Sequence, residues 1–194
     1  MKRDIILAGV GGQGILSIAT TIGTAALNAG LHLKQAEVHG MSQRGGDVSS
    51  NLRIADHEIA SDLIPFGKAD LIISVEPMES LRYLPLLSPD GWLITNTKPF
   101  INIPNYPEMG KLMAEIEQFK NHIALDADEV AKHLGSARSA NMVILGAASP
   151  FLEIDYTELQ EAIRRIFSRK GEEVVKLNLD ALKAGRDFAE SHRN

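Results

Sequence analysis

Four consecutive apolar residues, Ile5-Ile6-Leu7-Ala8, run straight into the glycine cluster Gly9-Val10-Gly11-Gly12-Gln13-Gly14, and a helical pattern begins at the next residue. An unbroken apolar run suits a strand covered on both faces, as in a parallel sheet; a half-exposed strand would alternate. Ile15, Ile18, Ala19, Ile22, Ala25 and Ala26 then recur at the spacing of one helix face, and Gly30 is placed to end that helix. Strand, glycine turn and helix in this order form the opening unit of an open α/β sheet.

The rest of the chain continues the alternation. Residues 33–38 form a second, more polar strand, and residues 39–47 break all periodicity and read as a loop. Val48, Ser50, Leu52 and Ile54 alternate with Ser49, Asn51 and Arg53, the pattern of a half-exposed strand at a sheet edge or in an antiparallel pair. Leu71 to Val75 is another buried strand. Pro77 stands at a first helical turn, with Met78, Leu81, Leu84 and Leu87 as its apolar positions. Trp92-Leu93-Ile94 is a strand, residues 97–107 with three prolines are a connector, and Ile123 to Leu125 is a last short strand. From there the chain turns helical. Ala140 to Ala148 is apolar nearly all round, Asp155 with Glu158 resembles a capping box before Tyr156, Leu159, Ile163 and Ile166, and Val174 to Phe188 is a final amphipathic helix. The expectation is a single α/β domain over residues 1–194: a mostly parallel open sheet with helices on both faces, Rossmann-like, with a helical C-terminal segment.

The glycine cluster satisfies G-x-G-x-x-G in the strand-to-helix context that gives the pattern meaning. Glycines let a ligand approach bare backbone, and the helix start offers N–H groups and a positive dipole end to an anion. Gln13 adds an amide. Three readings are open: a dinucleotide site, with Glu37, 23 residues after Gly14, on the ribose; another anion or partner group; or a turn that holds nothing. No Gly-Lys-Ser/Thr follows, so the loop is not a Walker loop.

The second unusual stretch is His39-Gly40-Met41-Ser42-Gln43-Arg44-Gly45-Gly46. In an open α/β sheet it leaves the same carboxyl edge as the glycine cluster, where ligands bind. Arg44 can clamp a carboxylate or phosphate bidentately, or pair with Asp47; Ser42 and Gln43 can hydrogen-bond; His39 can titrate near neutrality. Asn141, polar in an apolar segment, either pins this loop or caps a turn. Glu76 ends a buried strand, where function collects. His57, His122, His133 and His192 have no metal-ligand spacing.

Composition removes whole classes of chemistry. There is no cysteine among 194 residues, which excludes disulfides, thiol catalysis and cysteine-ligated iron–sulfur clusters from this chain. A net charge of −5 argues against a broad nucleic-acid or polybasic membrane surface. No apolar run approaches the roughly 18 residues that span a bilayer. The basic start Met1-Lys2-Arg3 leads into a short strand rather than a secretory leader, so the expected compartment is the cytoplasm.

Taken together, AGVGGQGI at 8–15, EVHGMSQRGGDVSSNLRI at 37–54 and SARSANMVILGA at 136–147 resemble the gamma-type domain of 2-oxoacid:ferredoxin oxidoreductases, and most of all its indolepyruvate branch. The resemblance covers roughly residues 4–187. It implies a subunit of an enzyme that oxidatively decarboxylates a 2-oxoacid with coenzyme A, giving an acyl-CoA, carbon dioxide and reduced ferredoxin. Thiamine diphosphate and iron–sulfur clusters then belong to a larger alpha subunit, since this chain has neither cysteines nor a matching Gly-Asp-Gly motif. Under this resemblance Gly9, Gly11, Gly12, Gln13 and Gly14 cradle an anion or partner loop. Ser42, Gln43 and Arg44 reach toward the shared site, and Gly45, Gly46 and Asn141 are further candidates for binding a ligand or partner. His39 and Arg44 are the catalytic candidates, and no metal site is expected here. The alternative is a stand-alone NAD(P)-binding dehydrogenase using Glu37 and His39.

Overall fold

The computed structural model describes residues 1–39 and 45–193. The apolar run becomes β1 (Lys2–Val10), buried from Asp4 onward. The other strands are β2 (His32–His39), β3 (Asp47–Ala55), β4 (Ala69–Ser74), β5 (Leu87–Asn96) and β6 (His122–Leu125). They form one sheet in the order β2-β3-β1-β4-β5-β6. β4, β5 and β6 add to β1 in parallel, while β3 runs antiparallel to both its neighbours, with Leu52 opposite Ile5 and Ser50 opposite Glu37. All strands but β3 therefore end at one edge.

Side-chain alternation along β1 divides the apolar residues between two layers. Ile5 and Leu7 enter the larger core with residues of α1 (Ile15–Asn28), α5 (Ala140–Ala148), α6 (Tyr156–Phe167) and α7 (Glu172–His192). Ile6 enters a smaller one with Ile72, Leu93 and Ile116, covered by α2 (Pro77–Arg82) and α3 (Met109–Glu117). Helices thus cover both faces of a mostly parallel open sheet, as expected. Each fully buried isoleucine or leucine in these layers contributes about 1.5–3 kcal/mol. α5 is buried from Met142 to Ala148 because α7 lies directly against it.

Several expectations needed correction. β3 is antiparallel but interior, and β2 takes the edge; the polar residues of β3 face a hairpin partner and the 61–64 segment, as when Asn51 Oδ1 accepts from the Ile64 amide at 3.0 Å. The helix after Pro77 ends at Arg82; Leu84–Leu86 is a short 3-10 turn around Pro85, and Leu87 already starts β5. α3 was not anticipated, although Met109, Leu112, Met113 and Ile116 recur at helical spacing, and the short α4 (Ala127–His133) follows β6. Asp155 does sit at the start of α6, but its side chain makes no capping hydrogen bond. Gly30 ends α1 in the left-handed conformation, with the Leu31 amide on Ala26 O at 2.9 Å.

Candidate functional site

The turn after β1 is built by its glycines. Gly14 stands before α1 at φ 84°, and Gly12 at φ 103°, both in the left-handed region that costs other residues about 1–2 kcal/mol. Gly9 is needed for a different reason: a Cβ there would lie 2.4 Å from Val75 Cγ2. Gln13 folds back into the turn. Its Oε1 accepts from the Val10 amide at 2.8 Å and its Nε2 donates to Val75 O at 3.3 Å. The Gln13 amide thereby ties β1 to the end of β4, and the residue also lines the neighbouring cleft.

The two glycine-rich stretches meet. The Gly11 amide donates to Gly46 O at 2.9 Å, extending the β1–β3 ladder into both loops, while Asp47 pairs with Val10. Ser42, Gln43 and Arg44 lie outside the described residues, as does the side chain of His39. Among the described residues, Asn141 bonds to the glycine turn and to its own helix. Its Nδ2 donates to Gly14 O at 3.1 Å and its Oδ1 accepts from the Met142 amide at 3.0 Å, so it joins the start of α5 to the start of α1. A Cβ on Gly14 would come within 2.5 Å of that Nδ2. Glu37 sits on β2, and β3 lies between β2 and β1. That places it two strand spacings, roughly 10 Å, from β1, where the dinucleotide reading needs an acid on a strand adjacent to β1.

Between β1 and β4 the connections change face, α1 going to one side of the sheet and α2 to the other. Ligands of open α/β sheets bind at such a switch point. Here a cleft of about 700 Å³ opens, floored by Gly12 to Gly14, Val75 and Asn96, and walled by residues 136–141 and the 167–178 segment. The starts of α1 and α5 both border it; α1 has no side-chain cap, and at α5 Asn141 Oδ1 takes the Met142 amide. Arg138 and Lys170 stand at its rim, and Asp128 is its one acidic lining residue. An uncapped helix start together with two cations suits an anionic ligand.

Asn96, Arg138 and Lys170 were missed by sequence reasoning. Asn96 is a buried hub: its Nδ2 donates to Asp128 at 2.7 Å and to Val75 O at 3.3 Å, and its Oδ1 accepts from the Ala127 and Lys98 amides. A polar residue ending an apolar strand was the available signal, the same one that marked Glu76. Arg138 precedes the apolar α5 within a polar turn. Lys170 gave none, since it lies among charges typical of a solvated helix face.

Glu76 is fully buried and structural in its contacts. It caps α2 through the Glu79 amide at 2.9 Å and accepts from the Phe100 amide at 3.2 Å and from the Tyr106 hydroxyl. Burial, reinforced by the Glu76 carboxylate, pushes the Tyr106 hydroxyl above its ordinary pKa. At the start of β3, Asp47 accepts from Tyr83 at 2.8 Å, and Glu79 pairs with Arg82 at 2.6 Å. Burial pushes Tyr83 up to about 12. Burial also raises Glu79 above the usual carboxylate range, against the pull of Arg82 and with the help of the Asp47 charge. Among the described residues no group of three histidine, aspartate or glutamate side chains could hold a metal, and no helix is long and apolar enough to cross a membrane.

The model of the pyruvate ferredoxin/flavodoxin oxidoreductase family matches residues 4–188. The indolepyruvate oxidoreductase subunit IorB of Archaeoglobus fulgidus is 37% identical over 100% of this chain and 98% of its own length. Its counterpart from Pyrococcus horikoshii is 35% identical, with the same coverage. Among solved structures, the 2-oxoglutarate:ferredoxin oxidoreductase of Magnetococcus marinus, with 2-oxoglutarate, coenzyme A and succinyl-CoA bound, superimposes with a TM-score of 0.78 at 25% identity. The match covers 98% of this chain but 31% of that one. The stand-alone dehydrogenase finds no support among these relatives or in the strand order. With its fold, its paired glycine loops and its sequence matched almost end to end, the chain belongs to the pyruvate ferredoxin/flavodoxin oxidoreductase family.

Proposed function

We propose that this chain is the small, cluster-free subunit of a cytoplasmic 2-oxoacid:ferredoxin oxidoreductase acting on indolepyruvate, and that its switch-point cleft receives the phosphate end of coenzyme A. The observation that carries the reading is the near full-length match to relatives named as indolepyruvate oxidoreductase subunits. The coenzyme A part is supported by the cleft, where the uncapped start of α1 and the cations Arg138 and Lys170 converge on about 700 Å³. Phosphate oxygens accept from helix-terminal N–H groups and from a guanidinium, and these charge-assisted bonds are the strong ones.

The overall change removes carbon dioxide from the 2-oxoacid and joins the remaining acyl carbon to the coenzyme A sulfur. The thiol proton is released and two electrons pass to ferredoxin. Thiamine diphosphate supplies the carbon nucleophile on the larger subunit. A cysteine-ligated cluster does not fit this chain, which has no cysteine, so the electron path belongs to the partner. What this chain contributes is binding and orientation: Gly12 to Gly14 leave backbone open to the ligand, Asn141 holds the two helix starts at fixed separation, and Arg138 with Lys170 neutralise charge. The second loop is hydrogen-bonded to the glycine turn through Gly46 and Gly11, and its Ser42, Gln43 and Arg44, with His39, are the candidate contacts to the shared site.

The test is reconstitution. The chain and the candidate large subunit are assayed together for ferredoxin reduction dependent on indolepyruvate, coenzyme A and thiamine diphosphate. Activity in the mixture and none in either part supports the reading; a fully active large subunit alone overturns it. Calorimetric titration of the isolated chain with coenzyme A checks the cleft, and binding undiminished in the Arg138→Ala, Lys170→Ala double variant overturns that assignment.

A further inference from the structure

We infer that residues 98–103, the strap after β5, are the anchor by which this chain docks non-covalently on the larger polypeptide of the complex; the inference rests on the subunit reading above. Phe100, Ile101 and Ile103 are exposed within four residues, Ile101 at 71%. A single exposed apolar side chain is ordinary, but a contiguous group marks an interface. Leu16, in the first turn of α1, and Val38, near the end of β2, lie at the same sheet edge. That edge therefore holds five of the eight large apolar side chains exposed among the described residues.

The strap is held in place rather than left loose. The Lys98 amide donates to Asn96 Oδ1 at 3.2 Å and the Phe100 amide to Glu76 Oε1 at 3.2 Å. Asn102 Nδ2 reaches Gly45 O at 2.5 Å. Both Asn96 and Glu76 are buried. Buried polar groups thus fix the backbone while its apolar side chains face solvent, so the ordering cost of binding is met in the free chain.

The occupant follows from the lengths of the relatives. In the Magnetococcus marinus protein this fold is 31% of a longer polypeptide, so there it is covalently joined to the remainder. The Archaeoglobus fulgidus relative matches this chain over 98% of its own length, so there the fold is almost alone. A chain separated from that remainder must hold it through a surface of its own, and interfaces concentrate their energy in a few apolar anchors. The strap stands at the edge where the glycine loops and the cleft also open, so docking there brings all three to the shared site.

The experiment measures binding of the purified candidate large subunit to the wild-type chain, to Ile101→Asp with Phe100→Ser, and to Leu63→Ser with Phe66→Ser, an exposed apolar pair outside the strap. The strap variant is expected to weaken the complex at least about tenfold with unchanged thermal unfolding, and the second pair to leave it unchanged. A strap variant that binds like wild type overturns the inference, as does a loss confined to the Leu63, Phe66 variant. A wild-type dimer that the strap variant dissolves while still binding the large subunit assigns the strap to a second copy and also overturns it. If the wild-type chain itself fails to bind the large subunit, the subunit reading falls first and this inference with it.

Discussion

Two places in the molecule depend on glycine for opposite reasons. Where α5 crosses α7, Gly146 and Gly185 let the two backbones touch. A Cβ on Gly146 would lie 2.0 Å from Leu182 O, and one on Gly185 would lie 1.9 Å from Val143 O. At the carboxyl edge of the sheet, a Cβ on Gly12 would meet nothing within 4 Å, yet its φ of 103° excludes ordinary side chains. The first pair fills space with backbone and builds the core. The second keeps space empty beside a cleft. A glycine in a sequence announces a close approach or an unusual dihedral, but only the neighbours say which partner the bare backbone is kept for.

Substitutions separate the two uses. Gly185→Ala is expected to have the largest effect, a loss of about 3 kcal/mol or more, since neither backbone can yield without parting the helices. Chemical denaturation measures it, and wild-type stability would dissolve the contrast between crossing and turn. Gly14→Ala is expected to cost about 1–2 kcal/mol through its dihedral and to displace Asn141, so coenzyme A binding falls more than stability does. Arg138→Ala with Lys170→Ala sharpens the comparison from the other side. Both side chains are exposed, so stability is expected to stay within about 0.5 kcal/mol, while affinity for coenzyme A drops about tenfold, the loss of roughly one charge-assisted hydrogen bond. Asn141→Ala removes the tie between helix starts and is expected to cost about 1 kcal/mol, read by thermal unfolding.

The smallest expected effect concerns pH. Glu79 has a folded-state pKa raised above its ordinary 4.5, so folding favours its protonated form. Its contribution to stability is complete below the ordinary value and declines as pH rises through the raised one. Glu79→Gln is expected to flatten that decline. Urea midpoints from about pH 4 to about pH 8 test this, and an unchanged slope in the variant would show that Glu79 ionises normally.

How far the sequence could be read varies with the physics of each element. β1, β4 and α1 were legible because buried parallel strands are continuous apolar runs and a buried helix face has a fixed period. α3 was missed although Met109, Leu112, Met113 and Ile116 recur at helical spacing, because it is only nine residues long and follows a proline-rich connector. The glycine turn was found for the right reason, but an amide beside such a loop does not reveal in sequence that it also bonds to Val10 and Val75 while lining the cleft. Arg138 and Lys170 are 32 positions apart in sequence, and nothing local to either marks a shared cleft.

The sequence by itself determined the class of fold, the strand–glycine–helix turn, the exclusion of cysteine chemistry from this chain and the family it resembles. These follow from local patterns and from residue types that cannot be replaced by context. The tertiary structure decided that β3 enters between β1 and β2, that Asn141 bonds to the start of α1, and that two distant cations border one cleft. Those outcomes depend on which long-range partners win among several of similar local merit, and that choice is made by packing, after the local patterns have all been satisfied.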